Sequence, residues 1–215
     1  MNEYPAGPRL VLASASPRRR ELLSQLGISF AVSPSEVEEN VPSSGRPERI
    51  ARRLARAKAQ ASVRVNSTAW VLAADTVVSY RGRLLGKPRS AREAQEMLRL
   101  LRGRRHAVVT AIVLAGPLGR RVMLAHARTT VHMREYTEQE IADYIASGDP
   151  FDKAGAYAIQ AERFQPVAAY QGCYCNVVGL PLWLTVRLLG RVAFPLPIPD
   201  RLVLPPVCSV CPFAS

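Results

Sequence analysis

Apolar runs separated by glycine and proline divide the first part of the chain into strand-like and helix-like segments. Residues 10–13 predict a short buried strand. Ser16 followed by Pro17 predicts the start of a helix, because serine is a good N-cap and proline is tolerated at the first helical position. We expect this helix to stop at Gly27 and a second strand to follow over residues 28–32.

A longer helix is predicted from Pro47. Its apolar residues are spaced by three and four positions, which places them on one face. That face consists of Ile50, Leu54, Ala57 and Ala61. Residues 70–80 then predict a strongly apolar strand that a single carboxylate, Asp75, interrupts, and residues 81–83 predict a turn.

The second half of the chain predicts two further helices and a β-hairpin. Ser90 is the predicted N-cap of a helix that Gly103 ends. Residues 106–115 and 122–131 predict two strands joined by a glycine-containing turn. The sequence Thr-Glu-Gln-Glu at 137–140 is a capping box for a helix that ends at the next glycine.

Shorter segments complete the pattern. Residues 156–159 and 174–178 predict short strands, and residues 181–189 predict the last helix. Four prolines fall between positions 195 and 205, and no periodicity survives there. We therefore expect one folded domain over 1–193, of the α/β class with a mixed sheet, and an extended proline-rich tail over 194–215.

The composition fits a globular protein of the cytoplasm. Of the 215 residues, 48% are hydrophobic, which is enough for a sizeable core and argues against long disorder. The N-terminus lacks the apolar stretch of a secretory signal, and no apolar run approaches the ~20 residues of a membrane helix. Four cysteines in a chain of this length do not make a disulfide scaffold. We expect a cytoplasmic location and no membrane partner.

The positive charge raises the question of an anionic partner. The chain has 29 basic and 17 acidic residues, a net charge of +12. Solvated arginine-rich helix faces would explain this charge, and so would a nucleic acid or a small phosphorylated substrate. A nucleic-acid binder needs a basic stripe interleaved with aromatics, whereas here the basic residues are spread over several helices and aromatics make up 7%. We expect no specific nucleic-acid partner.

Two positively charged segments could bind phosphate. Arg18 and Arg19 lie in the first turn of the helix that Ser16 caps. Cations oppose the helix dipole there, whereas the free backbone N–H groups attract anions, so a bound phosphate would explain both arginines. An arginine-rich surface helix is the alternative. Lys87, between glycine and proline, could bind phosphate or pair with a carboxylate.

Asp75 and the pair Glu38 and Glu39 each have a structural and a functional interpretation. Asp75 is costly to bury unless it meets a cation, a metal or a hydrogen-bond network, and a structural salt bridge would satisfy it equally well. Glu38 and Glu39 are either solvated loop charges or ligands of a hard cation such as Mg²⁺.

The cysteines and histidines give weaker signals. The pair Cys208 and Cys211 could bind zinc only with two more ligands, for which Cys173 and Cys175 are candidates. Buried cysteines, however, usually pack as small hydrophobic residues. We interpret the histidines as structural: His106, His126 and His132.

Six motifs, in order and at matching spacing, resemble the Maf family of nucleotide pyrophosphatases. They are LASASPRRRELL at 12–23, LARAKA at 54–59, AADTVV at 73–78, LGKP at 85–88, DKAGAYAIQ at 152–160 and NVVGLP at 176–181. The resemblance covers roughly residues 9–190. It implies a two-lobed, elongated mixed β-sheet flanked by helices, similar to inosine-triphosphate pyrophosphatases, and it implies a homodimer.

The resemblance also implies roles for individual residues. The catalytic carboxylate of the family falls on Asp75, which would share a divalent cation (Mg²⁺, Mn²⁺ or Co²⁺) with Glu39. The residues that contact phosphate fall on Ser14, Arg18, Arg19, Lys58 and Lys87. The residues that select the base fall on Arg18, Thr76 and Gln160.

The base-selecting residues match one subgroup of the family. Members with Asp-Thr and Ile-Gln prefer dTTP and UTP, and this chain has Asp75-Thr76 and Ile159-Gln160. Members with Asp-Gln and Ile-Glu prefer 7-methyl-GTP, which is the alternative substrate. A regulatory protein that keeps the cleft without turnover, or a basic nucleic-acid binder, is the alternative of another class. Ala161-Glu162 departs from the glycine that is usual after Gln160.

Overall fold

A computed structural model describes residues 9–35, 37 and 41–196 of the protein. Its strands are β1 (Leu10–Leu12), β2 (Phe30–Val32), β3 (Trp70–Tyr80), β4 (Arg83–Leu85), β5 (Arg105–Ala115), β6 (Val122–Met133) and β7 (Val167–Gln171). Its α-helices are α1 (Pro17–Ser24), α2 (Pro47–Val65), α3 (Ala91–Leu101), α4 (Glu138–Ala146), α5 (Tyr174–Val178) and α6 (Leu182–Gly190). Short 3-10 turns span Pro117–Gly119, Asp149–Asp152 and Ala154–Ala156.

The seven strands form one mixed sheet, as the hairpin pattern predicted. Their order is β2-β1-β3-β5-β6-β7, and β4 also pairs with β3. β1 runs parallel to β2 and β3, whereas β3, β4, β5, β6 and β7 make antiparallel pairs. α2 covers one face of the sheet, and the other helices pack on the opposite face in two hydrophobic clusters. The prediction of a mixed α/β fold is confirmed.

Helix starts are set locally, and the predicted caps are confirmed. The side chain of Ser16 accepts from the backbone N–H of Arg19 at the start of α1. Ser90 caps α3 in the same way, and Thr137 forms a complete capping box at α4. Each cap satisfies a backbone donor that would otherwise lack a partner at the helix end.

One edge of β3 is open in the middle of the strand. β1 pairs with residues 70–72 of β3 and β4 pairs with residues 78–80 on that edge. Among the described strands, residues 73–77 therefore have a ladder partner only on the β5 side. Successive side chains of a strand point to opposite faces, so this gap lets residues from both faces reach one space.

The predicted apolar face of α2 is confirmed at Leu54, which is buried, but the centre of the buried face is displaced from the prediction. Ile50, Ala57 and Ala61 are partly exposed. The buried face is Ala51, Leu54, Ala55, Lys58, Ala59 and Ser62. Small side chains let the helix lie close to β3 and β5, and the burial of a lysine cannot be found from apolar periodicity.

The two short strands predicted near the C-terminus are also wrong. Gly155 and Ala156 have positive φ angles of 74° and 61°, which are incompatible with extended backbone. Residues 174–178 form α5 instead of a strand, and the side chain of Cys173 caps this helix by accepting from the N–H of Asn176 at 3.4 Å. The strand that does exist here, β7, pairs with the end of β6 and was not predicted.

The described chain ends shortly after the last helix. The prediction of an extended tail concerns residues 194–215, of which 197–215 lie outside the described residues, together with Cys208 and Cys211. Within the described ranges, every helix is too short or too polar to cross a bilayer.

The face of α2 that contacts the sheet generates a stability prediction. Ala55 is fully buried there, so Ala55→Leu should lower the free energy of unfolding by about 1–3 kcal/mol through overpacking. The matched change Ala57→Leu, on the partly exposed side, should alter it by less than about 0.5 kcal/mol. Urea unfolding of both variants measures the difference. Equal destabilisation by the two variants would contradict the observed orientation of α2.

Candidate active site

A cleft of about 270 Å³ lies beside the open edge of β3. The start of α1, the inner face of α2, the segment after β4, residues 152–160 and α5 contribute its walls. Its lining includes every described residue that the sequence assigned to the site: Ser14, Arg18, Arg19, Lys58, Asp75, Thr76, Lys87 and Gln160. Glu39, the predicted second metal ligand, lies outside the described residues.

Asp75 and Lys58 form a buried ion pair in this cleft. Lys58 Nζ donates to Asp75 Oδ1 at 2.6 Å, and the two residues are 5% and 4% exposed. Each ion loses several kcal/mol of hydration on burial, about as much as the attraction between them can restore. The sequence left open whether Asp75 forms a structural salt bridge or has a functional role. The salt bridge exists, and it lies inside the candidate site.

Arg19 is held from three sides. Its Nε donates to the carbonyl oxygen of Gly179 at 2.9 Å, its Nη1 to Ser14 Oγ at 3.3 Å and its Nη2 to Thr76 Oγ1 at 3.1 Å. Gly179 has a φ of +125°, and a Cβ there would lie 3.3 Å from Arg19 Nε, so this close approach requires glycine. The guanidinium is thereby fixed next to the N-terminus of α1, where backbone N–H groups favour an anion.

Thr76 follows Asp75 in β3 and points to the opposite face of the sheet. Asp75 meets α2, whereas Thr76 Oγ1 lies 2.9 Å from Thr110 Oγ1 of β5. Thr110 is bonded in turn to Asn176 of α5 through its backbone N–H and its hydroxyl. Both Asp75 and Thr76 line the cleft because the edge of β3 is open at this point.

A buried lysine organises another wall of the cleft. Lys153 Nζ donates to Asp152 Oδ1 at 2.6 Å and to Asp149 Oδ1 at 2.9 Å. Asp152 Oδ2 also faces Arg18 Nη1 at 3.8 Å. Burial alone would raise the pKa of Asp149, but hydrogen bonds from Lys153 and Tyr144 lower that pKa below its ordinary value. Asp149 is therefore ionised at neutral pH and keeps Lys153 in place.

Sequence reasoning assigned no role to Lys153, although a compositional signal was present. The chain has three lysines among its 29 basic residues, and all three line this cleft. In a chain that otherwise uses arginine, a lysine marks a place where a compact ammonium fits and a planar guanidinium does not. The lining holds five cations and two carboxylates, a balance that favours a polyanionic ligand. The cations are Arg18, Arg19, Lys58, Lys87 and Lys153.

Tyr157 and His106 form a neutral pair behind the cleft. The Tyr157 hydroxyl lies 2.7 Å from His106 Nε2, and Tyr157 lines the cleft whereas His106 does not. Burial raises the pKa of Tyr157, and it lowers the pKa of His106 to about 4. Neither group is ionised near neutral pH, and the pair acts as packing.

Gln160 is exposed at the outer end of the cleft. It also borders a neighbouring recess of about 690 Å³, which shares Arg18, Lys153 and Ala158 with the cleft. The site therefore has a deep end at the Asp75–Lys58 pair and a wider end near Gln160.

The residues present fit a metal that arrives with its ligand. Over residues 9–35, 37 and 41–196, no group of three or more His, Cys, Asp or Glu side chains could hold a metal. Mg²⁺ in nucleotide sites usually takes one or two protein carboxylates and completes its shell with phosphates and water, so a cation at the deep end of this cleft would have Asp75, whose Oδ1 also accepts from Lys58, as its carboxylate donor. Cys173 and Cys175, considered above for zinc, are buried free thiols.

Comparison with known proteins identifies relatives along almost the whole chain. The family model described as "Maf-like protein" matches residues 9–192. A protein of Thermomicrobium roseum named "dTTP/UTP pyrophosphatase" is 58% identical over 95% of this chain and 94% of its own. One of Myxococcus xanthus with the same name is 50% identical over 87% and 94%. Among solved structures, the Ham1 protein of Staphylococcus aureus matches with a TM-score of 0.45 and 17% identity over 85% of this chain and 99% of that chain.

The match to the family model is continuous from before β1 to beyond α6 and includes all six motifs. The identities of 58% and 50% each extend over more than four fifths of the chain. This chain belongs to the Maf family.

Proposed function

We propose that this protein is a nucleoside triphosphate pyrophosphatase that hydrolyses dTTP and UTP to the monophosphate and pyrophosphate. Support comes from the name "dTTP/UTP pyrophosphatase" of the two relatives above and from the chemistry of the cleft. The single observation that carries the proposal is a buried carboxylate, Asp75, in a lining where cations outnumber carboxylates. A triphosphate neutralises such a lining, and the carboxylate supplies the group that acts on water.

The reaction is attack of water on the α-phosphorus, with pyrophosphate as the leaving group. Asp75 orients the water and accepts its proton. It would also hold a divalent cation, which would supply Lewis-acid activation of that water. Lys58 orients Asp75 through the 2.6 Å contact between Nζ and Oδ1. Arg19, fixed by Ser14, Thr76 and the Gly179 carbonyl, needs little reorganisation to stabilise phosphate charge.

The remaining cations extend this phosphate site. Arg18 and Lys87 line the cleft with more exposure than Lys58, which suits contact with the outer phosphates of the substrate. A divalent cation bound by Asp75 and Glu39 would neutralise phosphate charge and lower the pKa of bound water.

The residues that select the base are Gln160, at the outer end of the cleft, and Thr76, whose side chain also lines the cleft. The Gln160 amide offers one acceptor and a donor group, which complements the alternating carbonyls and N–H of uracil and thymine. A site built on such bonds rejects a base that leaves its polar groups unpaired. Arg18 lies between the cleft and the neighbouring recess, where it can border the base.

Asp75→Asn should lower the turnover number for UTP by about a hundredfold or more, because the amide cannot accept the proton of water. Pyrophosphate release, normalised to folded protein by thermal unfolding, measures the effect. Normalisation matters because the change leaves the Lys58 ammonium buried without its counter-charge. The exposed change Glu96→Gln is the matched control and should leave turnover unaltered. Turnover like that of the wild type in Asp75→Asn would refute the assignment.

Removal of divalent metal should abolish pyrophosphate release. Dialysis against excess chelator, followed by addition of Mg²⁺, Mn²⁺ or Co²⁺, is expected to give loss and then recovery of activity. Thermal unfolding before and after dialysis provides the control for loss of fold. Full activity in excess chelator would eliminate the metal from the proposal.

Gln160→Glu should weaken hydrolysis of UTP relative to other nucleotides, because an ionised carboxylate cannot donate to a base carbonyl. We expect a loss of about tenfold in kcat/KM, the scale of one hydrogen bond that the bound base would shield from water. Gln165→Glu, the same change outside both recesses, is the control. A base ranking that does not change, or a wild-type enzyme that prefers 7-methyl-GTP to UTP, would contradict the proposed specificity.

A further inference from the structure

A chain of hydrogen bonds beneath the cleft connects Arg19 to Asn176 through two threonines. Arg19 Nη2 donates to Thr76 Oγ1 at 3.1 Å, Thr76 Oγ1 lies 2.9 Å from Thr110 Oγ1, and Thr110 Oγ1 lies 2.8 Å from the Asn176 carbonyl oxygen. The chain crosses α1, β3, β5 and α5, and its members are separated in sequence by 57, 34 and 66 positions. It joins a cleft residue to a part of the core that does not touch the cleft.

The direction of each hydrogen bond follows from the inventory of donors. A carbonyl oxygen cannot donate, so the single hydroxyl proton of Thr110 is directed to Asn176. Thr76 must then donate its own proton to Thr110, because no other proton is available between the two oxygens. Arg19 donates to Thr76, which is consistent with this assignment. Toward any ligand in the cleft, Thr76 can therefore act only as an acceptor.

Asn176 anchors this arrangement. It is fully buried, its Oδ1 accepts from the backbone N–H of Thr110 at 3.0 Å, and its Nδ2 donates to the Val108 carbonyl and to Thr129 Oγ1. Both amide protons and the amide oxygen are engaged, so the side chain has no alternative rotamer of equal energy. The carbonyl that receives the proton of Thr110 is thereby fixed relative to β5 and β6.

We propose that Thr110 is a positioning residue for specificity: it fixes the hydroxyl of Thr76 as an acceptor and, through Thr76, the orientation of Arg19. The inference rests on the proposed function of this cleft. An acceptor at Thr76 favours a base with an N–H on its ring edge, as in uracil and thymine. Cytosine presents an unprotonated ring nitrogen at that position and leaves the acceptor unpaired.

Thr110→Val keeps the shape of the side chain and removes its hydroxyl. Thr76 can then rotate its proton toward the cleft, so we expect kcat/KM for UTP to fall about three- to tenfold, the scale of one hydrogen bond. The ratio of kcat/KM for UTP to that for CTP should fall as well, which a loss of stability alone would not produce. Thr110→Ser retains the hydroxyl and should restore both values. Thr130→Val on β6, outside the cleft, should change neither.

A double-mutant cycle separates positioning from a general loss of fold. In a Thr76→Val background, Thr110→Val should lower kcat/KM for UTP by less than twofold, because the hydroxyl that Thr110 orients is already gone. Additive effects, or an unchanged UTP-to-CTP ratio in Thr110→Val, would overturn the inference while the pyrophosphatase activity of the wild type stands. Wild-type protein that releases no pyrophosphate from any nucleotide would overturn the proposed function and this inference with it.

Discussion

The buried ion pair between Lys58 and Asp75 constrains the structure around it. Breaking such a pair by loss of one partner typically costs about 3–5 kcal/mol, because the remaining charge is buried without compensation. The ion pair therefore fixes the position of α2 along β3, and the alanines on the buried face of α2 let the helix lie close to the sheet. Stability and the candidate chemistry depend on the same contact, since the carboxylate at the centre of the cleft is also the one that holds α2 to the sheet.

The open edge of β3 gives the Asp75–Lys58 pair access to the cleft. In a fully paired sheet, Asp75 and Thr76 would serve two separate cores on opposite faces. Here β1 ends before them and β4 begins after them, so both residues line one cleft. Two independent polar networks thus converge on adjacent residues of one strand. One network leads to α2 through Lys58, and the other leads to α5 through Thr110.

The charged and polar residues of the cleft fall into a fixed deep group and an exposed outer group. Its deep cations are held by hydrogen bonds to carboxylates, hydroxyls and a backbone carbonyl, which reduces the reorganisation needed when an anion binds. The exposed Lys87 and Gln160 are left to the outer part, where a ligand can vary. A rigid cationic interior with an adaptable rim suits a substrate whose phosphates are constant and whose base must be selected.

Local signals in the sequence determined much of this protein. The caps at Ser16, Ser90 and Thr137 located three helices, and continuous apolar runs located β3, β5 and β6, because capping and strand patterns act over a few residues. The eight described residues that the motifs assigned to the site line one cleft.

Only the tertiary structure decided which side chains meet. The buried face of α2, the helix at 174–178 and strand β7 depend on contacts that periodicity does not contain. Lys153 and Thr110 escaped prediction because their roles arise from partners that the fold, not the sequence, brings within hydrogen-bond distance. Arg19 and Gly179, for example, are 160 positions apart in the chain and 2.9 Å apart in the cleft. Such contacts exist only after the sheet has formed and the helices have packed against it.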